Sequence, residues 1–272
     1  MKKPPFTAIT IAKGSPAWIP ADIELALAED SGLDPGQLGS LVYIPWRARY
    51  LNWVDPAYRD FFLTVLPYLH TRTADVHVAT CLPFIEPLAQ RLGEPVDRRI
   101  VSIAFILHDA GWSQMSDAEI ADSLNIKGVA LSGKAVSPKI KHALLGQEIA
   151  QKILSNYSFT PELDEAQKEL IYEAILYHDR PMELARDGRL PAAVKIVCDV
   201  DHLWTFTHEN FWQDTIRKMV APDQYAVNLR TDLNDYFITS QGRTMAGDML
   251  KERGTEVAAW ARWKASAQAM RS

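Results

Sequence analysis

Apolar residues recur at helical spacing along most of the chain, over Ala57 to His70, Ala74 to Leu92, Asp97 to Asp109, Ser137 to Leu154, Pro161 to His178 and Pro191 to Trp204. The alternation that a half-buried strand requires is hard to find, so the pattern predicts an all-α fold with at most trivial strand content. Asp55-Pro56, Ser137-Pro138 and Thr160-Pro161 each set a capping side chain before a proline suited to the first helical position. Gly93 closes the second segment as a C-terminal cap. Pro83 and Pro87 fall inside that segment and predict a kink or break just after His77 to Cys81. Residues 1–56, rich in Pro, Gly and Trp without sustained periodicity, read as an irregular extension with short helices packed on the main domain. Residues 57–204 read as the helical core, and 205–272 as a helical C-terminal part of the same domain, including a tail from Phe211 to Arg262. The polar stretch from Ser113 to Ala135 reads as a loop with a short helix at Asp117 to Leu124, serving as a lid or as a plain surface insertion.

The helical pattern places ionisable residues where they are costly. Ile100-Val101-Ser102-Ile103-Ala104-Phe105-Ile106-Leu107 is apolar on nearly all sides and runs into His108-Asp109, two groups whose burial calls for compensation, which a metal ion or a His-Asp hydrogen bond would give. His77 leads a stripe with Cys81, Phe84, Ile85 and Leu88. His142 leads one with Leu145, Gly146, Ile149 and Ile153, with Gly146 leaving room beside the ring. His178 ends the stripe of Ile171, Ala174 and Ile175. Each could be an ordinary core histidine, but three on inward faces of separate helices, with His108-Asp109, form a set able to converge inside a bundle. In the Pro191 to Trp204 segment, Asp199 and Asp201 lie about 200° apart on a helix, so only one can face the site. The stripe of Val194, Val197 and Cys198 favours Asp201. Asp199 is left to cap, to pair with Lys195 or to orient a ligand.

Composition narrows the partners. The 272 residues are 47% hydrophobic, enough for a substantial core. A net charge of −5 and pI near 5.8 offer no long-range attraction to nucleic acid or anionic membrane, so a small-molecule substrate is expected. Cys81 and Cys198 lack zinc-ligand spacing and read as reduced core thiols. With no secretory signal at Met1-Lys2-Lys3 and no apolar run long enough to span a bilayer, a cytoplasmic protein is expected, free or as a homo-oligomer.

The order His77, His108-Asp109, then a late Asp resembles the H…HD…D signature of HD-domain phosphohydrolases. Ala74-Asp75-Val76-His77-Val78-Ala79 is similar to the first motif, and Ala104-Phe105-Ile106-Leu107-His108-Asp109-Ala110-Gly111 to the second. The stretches Lys141-His142 to Ala150 and Ile175 to Asp179 resemble the intermediate histidine motifs of members that hold two metals. Leu203, two residues after Asp201, also fits the family's final motif. The resemblance implies a helical HD-domain-like bundle holding two divalent transition-metal ions (Fe, Mn, Zn, Co or Ni). His77, His108, Asp109 and Asp201 would hold one ion, and Asp109 would bridge to a second on His142 and His178. It further implies hydrolysis of a small phosphorylated or nucleotide-like substrate by a metal-bound hydroxide, with Asp109 as the central catalytic residue. Arg72 and Arg180 are candidates for holding phosphate, with surface arginines the plain alternative. Two other readings stay open: a diiron oxygenase of the same fold cleaving a C-C or C-P bond, and a catalytically silent ligand-binding domain.

Overall fold

The computed structural model of the chain describes residues 5–9, 17–27, 42–123, 137–184 and 190–269. Among the described residues, strands are confined to the N-terminal region. There β1 (Phe6–Ile9) pairs antiparallel with β2 (Ala17–Pro20), Phe6 opposite Pro20, and β3 (Ala26–Leu27) pairs with β4 (Val42–Tyr43). These two ladders add short strands to the extension, and the strand content among the described residues stays trivial. Strands of four and two residues are too short to display a period of two. A short 3₁₀ helix, Ala48–Trp53, does follow.

Residues 46–204 with 237–242 form one compact unit. Its helices are α1 (Arg59–Val65), α2 (Ala74–Cys81), α3 (Ile85–Leu92), α4 (Arg98–Leu107), α5 (Asp117–Ser123), α6 (Pro138–Asn156), α7 (Glu165–Tyr177), α8 (Pro181–Leu184) and α9 (Ala192–Leu203). Asp55 accepts the Ala57 amide before Pro56, as its sequence signal requires. The break after Cys81 is a 3₁₀ turn, Leu82–Phe84, with Pro83 inside it, and Gly93 caps α3 in the left-handed conformation at φ 72°. Ser137 precedes α6 without a side-chain capping bond. The start read at Thr160-Pro161 is corrected: α7 begins at Glu165. Asp164 accepts the Gln167 amide while the Gln167 side chain accepts the Asp164 amide, a reciprocal box that satisfies two amide donors at once. The short helix expected at Asp117 to Leu124 is α5, and residues 124–135 of the expected loop lie outside the described residues.

The core of this unit is α4, whose residues from Ile100 to Leu107 are all buried. It packs against α7, α9 and α3, and α6 packs in turn against α7 and the 3₁₀ turn Ala110–Gln114. Every residue of α2 is buried as well, so its polar members cannot reach bulk water. Cys81 and Cys198 are free, buried thiols.

Residues 1–45, 205–236 and 243–272 form the second unit. It contains the β ladders, α10 (His208–Arg217), α11 (Pro222–Tyr236) and most of α12 (Ser240–Ala269). α10 packs on β4, β2 and α11. Its core includes Trp212, Phe211 and Phe6, with Trp212 tilted against the Phe6 ring at 6.1 Å. Among the described residues no helix is long and apolar enough to cross a membrane.

Candidate metal centre

The helical unit brings His77, His108, Asp109, His142, His178 and Asp201 together. His77 lies mid-way along α2, His108 ends α4 and Asp109 follows it. His142 lies in the first half of α6, His178 ends α7 and Asp201 lies near the end of α9. Two glycines permit the convergence. A β-carbon on Gly111 would lie 1.9 Å from the His142 carbonyl oxygen, so only glycine lets the turn after Asp109 rest on α6. Gly146 lies next to that turn and beside the His108 carbonyl, rather than simply making room for the His142 ring.

Asp109 is the centre of the cluster. Its Oδ2 is 3.1 Å from His77 Nδ1 and 3.6 Å from His108 Nε2, and its Oδ1 is 3.7 Å from His142 Nε2. Asp201 Oδ1 lies 3.4 Å from both His77 Nε2 and His108 Nε2. His142 Nε2 and His178 Nε2 face each other at 3.1 Å.

A divalent cation fits these atoms. His108 Nδ1 donates to the Phe105 carbonyl at 2.7 Å and His178 Nδ1 to the Ile175 carbonyl at 2.6 Å, which turns Nε2 of each ring inward. Facing the carboxylates, His77 Nε2 and His108 Nε2 are buried without a hydrogen-bond partner. Separations of 3.4 to 3.7 Å exceed a good hydrogen bond but suit donors that share one ion at about 2.0–2.2 Å each. His142 Nε2 and His178 Nε2 hydrogen-bond at 3.1 Å, and moving the shared proton to the unpartnered His142 Nδ1 would free both for one ion. Three groups of donors drawn from these six residues each fall within 4.8 Å: His77, His108 and Asp109; His108, His178 and Asp201; Asp109, His142 and His178.

The electrostatics match. Burial holds His77 below its ordinary value, and burial with the neighbouring His178 holds His142 down to about 3, so both are neutral donors at pH 7. Burial alone would lower His108, but the carboxylates of Asp109 and Asp201 outweigh it and push the imidazole up to about 9. Burial would raise Asp109 and Asp201. The surrounding imidazoles, His108 foremost, hold both below the usual carboxylate range. Without a cation, a proton on His108 therefore balances two carboxylates, at the place where an ion would do so.

Aromatic rings fix the donors. Trp112 Nε1 donates to Asp109 Oδ1 at 2.8 Å, and its ring stacks on His142 at 4.0 Å. Trp204 stacks on His77 at 5.1 Å. The Arg72 guanidinium lies over the Trp112 ring, 4.3 Å from its centre. Arg180 is instead engaged by Glu183 and the Leu176 carbonyl. Asp199 stands apart from the histidines. It accepts the amides of Ile238 and Thr239 and the Thr239 hydroxyl, and a β-carbon on Gly242 would meet its Oδ2 at 2.4 Å. Of the three roles left to Asp199, the structure shows it capping a segment some 40 residues on, with Lys195 paired to Glu94 instead.

Sequence reasoning did not single out Trp112 or Asp179. Trp112 is three residues after Asp109, a spacing that returns its side chain to the same face. Asp179 adjoins His178, with Oδ2 3.7 Å from His178 Nε2 and 3.8 Å from His142 Nε2.

Residues 75–204 match the family model of the HD domain. No curated protein and no solved structure matches the chain significantly. The matched span contains all six clustered residues and begins two positions before His77. That match, together with a His/Asp cluster suited to metal, assigns residues 75–204 to the HD-domain superfamily.

Proposed function

We propose that this protein is a binuclear metal-dependent phosphohydrolase acting on a small phosphorylated or nucleotide-like substrate. The observation that carries the reading is the placement of Asp109, with one carboxylate oxygen toward His77 and His108 and the other toward His142. One carboxylate between two imidazole sets suits two ions, one held by His77, His108, Asp109 and Asp201, the other by Asp109, His142 and His178. Such ions would lower the pKa of water to near neutrality and offset charge on a phosphoryl group.

The chain's own residues supply the rest. Trp112 orients Asp109 through its indole N–H and His142 through stacking, so both ligands are preset before any cation arrives. The carbonyls of Phe105 and Ile175 fix the tautomers of His108 and His178. Arg72, half-buried and stacked on Trp112, is the cation suited to a substrate phosphate, since its planar fork can pair with two phosphate oxygens.

The test is a panel of phosphomonoesters and nucleotides, assayed with Mn²⁺- or Co²⁺-loaded protein under argon. Phosphate release without dioxygen is the expected result. Dioxygen consumption without hydrolytic phosphate release, measured with iron-loaded protein, would replace the hydrolase with an oxygenase. Metal uptake with neither activity would favour a ligand-binding domain.

A further inference from the structure

We infer that Asp179 is a further protein donor to the second ion, so that each ion is held by two imidazoles and two carboxylates. The inference rests on the binuclear reading above and extends its ligand set. On the first side the donors are His77, His108, Asp109 and Asp201. On the second, His142, His178 and Asp109 leave an N₂O set one carboxylate short of its neighbour.

Asp179 occupies that remaining place. Its Oδ2 lies 3.7 Å from His178 Nε2 and 3.8 Å from His142 Nε2, close to the 3.7 Å between His142 Nε2 and Asp109 Oδ1. Those separations are the edges of a donor shell around a common ion at about 2.0–2.2 Å from each atom. The other oxygen, Oδ1, accepts from Lys139 Nζ at 2.8 Å, which turns Oδ2 toward the rings.

A plain Lys139–Asp179 ion pair does not account for the placement. The Lys139 side chain is 51% exposed, whereas that of Asp179 is 11% exposed and buried against two imidazoles. Asp179 also offers a donor atom within 4.8 Å of one on Asp201. Two carboxylates this close, both facing histidines, repel each other unless positive charge lies between them. Lys139 approaches Asp179 through Oδ1, so the oxygen facing the histidines is left for a cation inside the cluster.

Calorimetric titration of chelator-treated wild-type protein with Co²⁺ under argon, followed by visible absorption, tests the assignment. Wild type should take up two equivalents. Asp179→Ala should retain the first with wild-type affinity and bind the second on the order of a hundredfold more weakly. It should also change the Co²⁺ absorption band of the second equivalent, and Asp179→His, which restores a donor, should recover binding. Asp179→Asn keeps the shape of the side chain and serves the same purpose if the alanine variant does not fold. Two equivalents of wild-type affinity with an unchanged spectrum in these variants would reduce Asp179 to a partner of Lys139 and leave the binuclear reading standing. A single equivalent in the wild type would overturn both.

Discussion

Asp214 in the second unit and Asp109 in the helical unit are both buried carboxylates among basic side chains, yet their surroundings are completed in different ways. Asp214 accepts from Arg217 Nε at 2.9 Å, from Tyr225 Oη at 2.6 Å and from Lys218 Nζ at 2.9 Å, and Arg217 also donates to Asn210 Oδ1 at 2.7 Å. Burial would raise Asp214, but Arg217 and Lys218 hold it below the usual carboxylate range. None of these side chains leaves a buried polar atom without a partner. The Asp109 cluster leaves Nε2 of His77 and Nε2 of His108, both facing carboxylates, buried without a hydrogen-bond partner. A finished network braces a fold, whereas one with lone pairs unspent and carboxylates in excess is built around a cation.

The contrast breaks most sharply on Asp109. Asp109→Ala should release both ions and reduce phosphate hydrolysis by roughly a thousandfold or more, since charge stabilisation worth several kcal/mol is removed at once. Elemental analysis and the anaerobic assay check it, and retention of one tight ion would show that Asp109 does not bridge. Asp214→Ala should behave oppositely. Leaving Arg217 buried and unpaired should cost about 3–5 kcal/mol in denaturant unfolding with metal content per folded chain unchanged.

The metal-free cluster should also report itself through pH. His108 sits at about 9 in the folded chain against about 6.5 unfolded, so its charged form adds stability in full below about pH 6.5. That contribution, on the order of 3 kcal/mol, is lost as pH rises through about 9. Chelator-treated protein should therefore lose thermal stability across that interval, whereas loaded protein should not, because the ion replaces the proton. Equal pH profiles for the two forms would contradict this account of His108. The smallest effect belongs to Trp112→Phe, which keeps a ring on His142 and removes the N–H on Asp109 Oδ1. Second-ion affinity should fall about tenfold in calorimetry with little change in the first.

Much of this was legible in the sequence because helical periodicity and ligand geometry share one code. An apolar helix ending in His108-Asp109 had to bury both groups, and the 200° offset between Asp199 and Asp201 separated the two carboxylates before their positions were known. What escaped notice depends on distant partners. Asp199 is explained by Thr239 and Gly242, and the 3₁₀ turn that aims Trp112 back at Asp109 becomes clear only once α6 packs on it. Asp179 was hidden by its neighbour, since a residue beside a strong ligand candidate reads as context until distances place it among the donors. The short β ladders escaped because neither is long enough to carry a pattern.

The central claim is two ions on one cluster, and counting them tests it most directly. Protein purified without chelator and reconstituted with Mn²⁺ or Co²⁺ under argon should contain two metal equivalents per chain by elemental analysis, and His178→Ala should contain one while remaining folded. One equivalent or none in the wild type, or two in the His178→Ala variant, would contradict the account.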